Sequence, residues 1–152
     1  ASAWFTFDAF EKSRRFLHDP QARHDRLVLF ELRLRRALQQ LEQVGNPVFL
    51  SETGFPSAVG YKLEGDRLVV PQNDNERFGQ AMQEFAVLLR QVNADYEGRM
   101  QALYFYEWRD NLYHDKIWNV EQSPIHVAFG LCDRMGVPKL DIGALVGVLQ
   151  SD

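Results

Sequence analysis

The amino-acid sequence predicts an α/β fold in which parallel strands are connected by crossover helices. Two short apolar runs of strand-forming residues, at 48–51 and 100–106, alternate with longer segments of helical periodicity. Each run is apolar along most of its length, which is typical of a strand buried on both faces of a parallel sheet. The order helix, strand, helix, strand, helix is that of repeated β–α units. The 152 residues suit one domain, and we assign residues 1–152 to a single one.

Four helices are predicted from hydrophobic spacing and capping residues. In the second helix, four leucines and a phenylalanine, at positions 27, 30, 34, 38 and 41, recur at spacings of three and four, and Gly45 follows as a C-cap. Asn73 or Asp74 caps the third helix. The helices are expected at about residues 9–17, 25–44, 75–93 and 141–149.

Long loops are predicted after both strands. Residues 54–75 contain five glycine or proline residues, which indicate an irregular segment with a small hairpin around residues 64–66. The second strand is followed by a loop that contains Trp118, and a turn at residues 135–138 precedes the last helix. Two or three strands do not complete a sheet, so the sequence predicts a partial domain.

Composition argues against several classes of partner. The net charge is −4 and the basic residues form no patch, so nucleic acid is not expected. Cys132 is the only cysteine and the four histidines lack metal-ligand spacing, so we predict no disulfide, no metal and no cofactor. No apolar run reaches the about 20 residues that span a bilayer. The first residues do not resemble a signal peptide, and a periplasmic, an extracellular and a cytoplasmic location all remain open.

Carboxylates stand where both predicted strands end. Glu52 follows the first strand, and Glu107 and Asp110 follow the second. In parallel α/β folds the active site lies at the carboxyl ends of the strands, and a carboxylate is costly to bury there unless it is hydrogen-bonded or used. The alternatives are structural, because Glu52 can hold a loop and Glu107 can pair with Arg99 or Arg109.

One segment carries a specific resemblance to a known family. The heptapeptide SETGFPS at residues 51–57 is similar to the strand-7 motif of clan-A glycoside hydrolases. It is most similar to the SETGWPS motif of the family 17 β-1,3-glucanases, with Phe55 in place of tryptophan. Residues 104–110, YFYEWRD, resemble the eighth strand of these enzymes, and residues 116–133 resemble their tail before the last helix. The similarity covers roughly residues 46–140.

The resemblance implies a fold and a set of roles. It implies the C-terminal portion of a (β/α)8 TIM barrel, about strands 7 and 8, completed by an upstream half-barrel segment or a partner chain. It also implies a retaining glycoside hydrolase or transglycosylase that acts on a β-linked polysaccharide, with Glu52 as nucleophile. The family's acid/base glutamate follows an asparagine after strand 4, and no such pair precedes Glu52, so the acid/base is expected outside this chain. The expected sugar contacts are Phe55, Tyr106, Glu107, Trp108 and Trp118.

Two other hypotheses remain open at this stage. The first is a carbohydrate-binding or scaffolding module derived from a TIM barrel, which the missing acid/base and the Phe55 substitution favour. The second is a free-standing small α/β domain of unrelated function. A partial parallel sheet exposes two edges and is prone to aggregate, whereas a free-standing domain is expected to melt sharply as a monomer.

Overall fold

The computed structural model describes residues 9–64, 68–110 and 124–151. These residues form a mixed α/β arrangement of four α-helices and two small sheets, with short 3-10 turns at Glu42–Val44 and Pro124–Ala128. The helices are α1 (Ala9–His18), α2 (Pro20–Leu41), α3 (Asn75–Asp95) and α4 (Ile142–Gln150). The strands are β1 (Val48–Thr53), β2 (Ala58–Glu64), β3 (Leu68–Asn73) and β4 (Met100–Phe105).

All four predicted helices are present, and capping residues fix where they begin. The Asp19 side chain accepts two backbone hydrogen bonds at the start of α2, and Pro20 occupies its first turn. The prediction that this helix starts near residue 25 was wrong, because its apolar spacing begins more than a turn after its cap. Asp74 caps α3, one of the two caps predicted. The predicted C-cap Gly45, with a φ of 76°, ends the 3-10 turn that follows α2, whereas α2 itself is capped by Glu42. Within the described residues, no helix combines the length and the apolarity needed to cross a bilayer.

The strands β1 and β4 form the predicted parallel pair, with α3 between them in the sequence. Leu50, Leu103 and Phe105 pack against the main core from one face of this sheet. On the other face, the side chains of Phe49 and Tyr104 are 57% and 58% exposed. Two strands do not close a barrel in the part of the chain described, so the (β/α)8 architecture stays a prediction.

Much of the segment predicted as a loop is an antiparallel hairpin. Strand β2 pairs with β3 from Ala58 opposite Asn73 to Glu64 opposite Leu68. The predicted small hairpin is confirmed, but the prediction that the segment around it is irregular was wrong. Both strands of a two-stranded sheet are edge strands, where proline and glycine are tolerated, so Pro71 and the glycines did not exclude a sheet here.

The hydrophobic core lies between the parallel sheet and the helices. Helix α3 contributes the largest share of it, with Phe78, Met82, Phe85 and Leu89. Each such side chain adds about 1.5–3 kcal/mol when it leaves water. Because α1, α2 and α4 pack on the same helix, the two parallel strands rest on a framework of buried contacts. Their carboxyl ends are therefore held by the core rather than by loops alone.

Candidate functional site

The carboxyl ends of β1 and β4 lie side by side. Thr53 is the register partner of Phe105, and the backbone N–H of Tyr106 donates to the carbonyl of Thr53 at 2.8 Å. Glu52 and the segment that carries Trp108 thus share one edge of the parallel sheet. This is the edge at which active sites of parallel α/β proteins lie.

A β-bulge at Ser51 and Glu52 sets the direction of the Glu52 side chain. Leu50 pairs with Leu103 and Thr53 pairs with Phe105. Between these two pairs, β1 has two residues where β4 has one. The bulge breaks the two-residue alternation: Ser51 and Glu52 are both exposed, and Thr53 is buried. Bulges are frequent beside active sites, where they redirect a side chain.

The carboxylate of Glu52 is exposed at this edge. Within the described ranges it makes no hydrogen bond and no ion pair. The structural alternative, in which Glu52 holds a loop, therefore has no contact to support it there. An exposed carboxylate on a rigid strand end can act as a nucleophile or accept hydrogen bonds from a ligand.

Gly54 allows the two strand ends to approach each other. Its φ is 139°, and a Cβ built at this position would lie 2.9 Å from the carbonyl oxygen of Tyr106. The peptide bond between Tyr106 and Glu107 is cis. The exposed part of the SETGFPS heptapeptide is Ser51 and Glu52, and the chain runs inward from Thr53 to the buried Phe55.

Phe55 lies in the core and not at the surface. Its side chain is only 4% exposed, and its ring centroid is 4.8 Å from that of Phe16, 5.4 Å from Phe78 and 5.8 Å from Phe85. The predicted sugar contact at Phe55 is corrected accordingly, because a ring packed against three others has no free face. Its role is to anchor the segment that follows Glu52.

The aromatic residues that follow β4 differ in exposure. Trp108 is 63% exposed, whereas Tyr106 is half-buried, with its ring centroid 5.7 Å from that of Phe129. Glu107 is also half-buried and bonds through its backbone to Phe129 and Leu131. Trp118 lies outside the described residues, so its predicted contact is not placed.

Of the two arginines predicted to pair with Glu107, Arg99 lies at the opposite end of β4. Arg99 precedes β4, and its guanidinium donates to the carbonyl of Leu41 at the end of α2. Glu107 follows the other end of β4, so Arg99 does not serve it. Glu107 does have a further interaction within the structure, and Arg109 remains a candidate partner.

A buried polar cluster, formed by Ser57, Asn73, Asp110 and Lys139, lies behind the strand ends. The ammonium of Lys139 donates to Asp110 at 2.5 Å and to the hydroxyl of Ser57 at 2.8 Å. Asp110 also accepts from the side-chain amide of Asn73 at 3.0 Å and from the backbone N–H of Gly130 at 2.9 Å. Sequence reasoning noted Asp110 as a strand-end carboxylate but missed Lys139, which has the sequence context of an ordinary surface lysine.

Burial opposes the charged forms of both ions in this cluster. It raises the pKa of the Asp110 carboxyl, against the opposite effect of Lys139 and of the hydrogen bonds to the carboxylate. It lowers the pKa of the Lys139 ammonium, against the attraction of Asp110. Each charge therefore depends on the other, and removing one partner from such a buried pair costs about 3–5 kcal/mol.

The Ser57 and Lys139 pair is not a catalytic dyad in this structure. A serine within hydrogen-bond distance of a lysine can act as an activated nucleophile. Here both side chains are fully buried, and the Ser57 hydroxyl donates to the carbonyl of Ala128 at 3.2 Å. A substrate therefore cannot reach the oxygen, and the cluster holds chain segments together instead.

Comparisons with known proteins leave the family of this chain open. No protein-family model, no curated protein and no solved structure matches it. Among the described residues, no three His, Cys, Asp or Glu side chains lie close enough to hold a metal ion. Any function assigned to the chain must therefore rest on its own residues and their geometry.

Proposed function

We propose that this chain carries the nucleophile of a retaining glycoside hydrolase that acts on a β-linked polysaccharide. Glu52 is the nucleophile in this proposal, and the acid/base carboxyl is supplied from outside this chain. The observation that carries it is the exposed, bulged Glu52 at the carboxyl end of a parallel strand, on the same edge as the exposed Trp108. The SETGFPS heptapeptide supports the same assignment.

The chemistry requires two carboxyl groups on opposite sides of the glycosidic bond. The Glu52 carboxylate attacks the anomeric carbon while the second carboxyl gives its proton to the departing oxygen. Water then releases the sugar from Glu52, and the second carboxylate takes a proton from that water. The two groups of a retaining enzyme lie about 5–5.5 Å apart, so the missing segment must bring its carboxyl over this strand edge.

Trp108 supplies an aromatic surface for the sugar in this proposal. Its ring is the most exposed of the aromatic side chains predicted as sugar contacts that the structure describes. Indole rings present a large apolar face together with a polar N–H, which suits the mixed surface of a pyranose. Tyr106 and Glu107 are half-buried beside it and contribute at the base of the site.

Completion of the parallel sheet is part of the proposal. Parallel sheets are normally covered on both faces, yet Phe49 and Tyr104 are exposed on one face of this pair. Val28, Leu29 and Leu32 are exposed along α2. A groove of about 380 Å³ runs along β4 between α3 and α4. These surfaces suit further parallel strands and helices, so that β1 and β4 become strands 7 and 8 of a (β/α)8 barrel.

The direct test is Glu52→Gln in the completed barrel, assayed on a panel of β-linked polysaccharides that begins with a soluble β-1,3-glucan. We expect hydrolysis to fall by at least about 10³-fold, with the melting temperature unchanged because Glu52 is exposed and makes no hydrogen bond or ion pair to the described residues. Glu76→Gln is the matched control, since Glu76 is an exposed carboxylate in the first turn of α3. Near-normal turnover by the Glu52 variant would contradict the assignment.

A carbohydrate-binding module without catalysis is the second candidate. The exposed Trp108 favours it as much as it favours an enzyme, because sugar stacking does not need a nucleophile. Trp108→Ala is expected to weaken polysaccharide binding under either function. An assay of the unmodified protein distinguishes the two functions. Only an enzyme releases reducing ends from the polysaccharide, and a retaining enzyme releases a sugar that keeps the β configuration.

A further inference from the structure

The buried polar cluster joins segments that border the proposed site. Ser57 ends the stretch that begins at Glu52, and Asp110 ends the stretch that carries Trp108. Lys139 binds both side chains at once, at 2.8 Å and 2.5 Å. Its Nζ also lies 3.4 Å from the carbonyl of Ala128. One ammonium group is thus the common partner of three separate parts of the chain.

Backbone hydrogen bonds connect the cluster to the segment that follows β4. Residues 107–110 run beside residues 129–132. The N–H of Leu131 donates to the backbone carbonyl of Glu107 at 2.9 Å, and the N–H of Cys132 donates to that of Trp108 at 2.8 Å. The backbone N–H of Lys139 donates to Leu131 at 2.9 Å. Gly130 fits only because it lacks a Cβ, which would lie 2.2 Å from the backbone nitrogen of Asp110.

We propose that Lys139 is a positioning residue, which fixes the Glu52 segment relative to the Trp108 segment through its bonds to Ser57 and Asp110. The inference rests on the proposed function, because it assigns these two segments to the nucleophile and to the sugar platform. A buried ion pair is weak evidence for a stabilising role, since apolar replacements are often as stable. What an apolar side chain does not supply is a set of directional bonds to a hydroxyl and a carboxylate.

The test compares Lys139→Met with Arg23→Met in the completed barrel. Arg23 is the matched control because it is also a buried cation. It pairs with Glu84 at 2.7 Å and donates to the carbonyls of Phe16 and Leu17. Its partners lie on α1 and α3, and none belongs to the buried polar cluster or the strand ends. Both variants are expected to melt at lower temperature, so kcat and KM on a soluble β-1,3-glucan are measured well below both transitions.

We expect only Lys139→Met to lower kcat, by about 10- to 100-fold, with KM changed by less than about three-fold, because a displacement near 1 Å is enough for such a loss. Wild-type kcat in Lys139→Met, or an equal fall in both variants, would overturn the positioning role. If Lys139→Met does not fold, Asp110→Asn with Lys139→Met removes both charges and leaves neither unpaired. That double variant is expected to fold and to keep the low kcat, and a normal kcat would overturn the role.

Hydrogen exchange separates this inference from the proposed function. If Glu52→Gln remains active, the function is wrong and kcat no longer reports on the two segments. The backbone amides of Tyr106, bonded to Thr53, and of Gly130, bonded to Asp110, still do. Faster exchange at both amides in Lys139→Met than in Arg23→Met supports the positioning role. Equal exchange in the two variants overturns it.

Discussion

Glycine at position 54 is required by the approach of two backbone segments. Its φ of 139° is a conformation that side chains disfavour, and a Cβ would meet the carbonyl of Tyr106 at 2.9 Å. The close packing of the two strand ends thus depends on a single missing side chain. The same residue permits the chain to turn from the exposed Glu52 to the buried Phe55.

Gly54→Ala is expected to destabilise the fold by about 1–3 kcal/mol, the usual cost of a strained backbone conformation. Thermal or denaturant unfolding measures it. Gly147→Ala is the control, because Gly147 lies in α4 with nothing within 4 Å of a built Cβ, and alanine favours a helix. Equal unfolding midpoints for the Gly54 variant and the wild type would show that the strand ends pack less closely than described.

At the scale of elements, Asp74 joins two helices through one carboxylate. Its side chain accepts from the backbone N–H of Arg77 at 3.1 Å, which caps α3, and binds His18 at the end of α1 at 2.5 Å. Burial by itself raises the pKa of the Asp74 carboxyl, but these hydrogen bonds and the nearby positive charges together hold the pKa below its ordinary value of 3.8. The ionised form is therefore the one that the folded state favours.

Asp74→Asn keeps a capping side chain and removes the charge. Because the folded pKa is depressed, the charge stabilises the fold above the unfolded pKa, and this stability is lost as the pH falls through the folded value. The wild type should therefore exceed the variant in urea stability at pH 5–7, and the difference should vanish in strong acid. A difference that does not change with pH would contradict the linkage, and His18→Gln should reproduce part of it.

The elements also show how far local signals reach. The four helices follow from apolar spacing and caps, and the bounds of α3 came within two residues of the expected ones. The hairpin of β2 and β3 was mostly missed, because glycine and proline are read as loop residues although edge strands tolerate them. The bulge in β1 leaves no mark in the sequence, since only the register against β4 reveals the extra residue.

At the scale of the whole molecule, one face of the parallel sheet is not covered by the described helices. Phe49 and Tyr104 point away from the core and are more than half exposed. Helix α2 separately exposes Val28, Leu29 and Leu32. Exposed apolar patches on soluble proteins mark interaction sites or aggregation hazards, and the proposed barrel would cover the face of the sheet that carries Phe49 and Tyr104.

Replacing Phe49 and Tyr104 together by serine should act in opposite directions in two contexts. In the isolated chain it should reduce self-association, measured by light scattering, and leave the helical circular dichroism unchanged. In the completed barrel it should lower stability by about 3–5 kcal/mol for each aromatic residue, because both become buried. Val137→Ser is the control, since Val137 is exposed in a turn and should have little effect in either context.

The behaviour of the isolated wild-type chain tests the barrel proposal directly. A wild-type chain that stays monomeric at high concentration and melts in one sharp transition would contradict the barrel proposal. It would support the free-standing α/β domain instead. The serine variants would then leave the melting of the chain unchanged.

The sequence by itself determined the four helices, the two parallel strands and one edge of the site. Apolar spacing, caps and turn residues act between near neighbours, so the helices and the β1 and β4 strands could be predicted. The place of Glu52 at a strand end followed from the same signals, because parallel strands bring their carboxyl ends to one edge, whereas its exposure came from the structure. The resemblance of residues 51–57 to a glycosidase motif gave this carboxylate a role, which stays a hypothesis.

Only the tertiary structure decided which side chains are buried and which meet. Phe55 belongs to the core, although it stands three residues from an exposed carboxylate. Lys139 meets Asp110 from 29 positions away and Ser57 from 82. Burial and ion pairing depend on how distant segments pack together, and no local pattern encodes that packing. The partners of Lys139 therefore became visible only when the chain was folded.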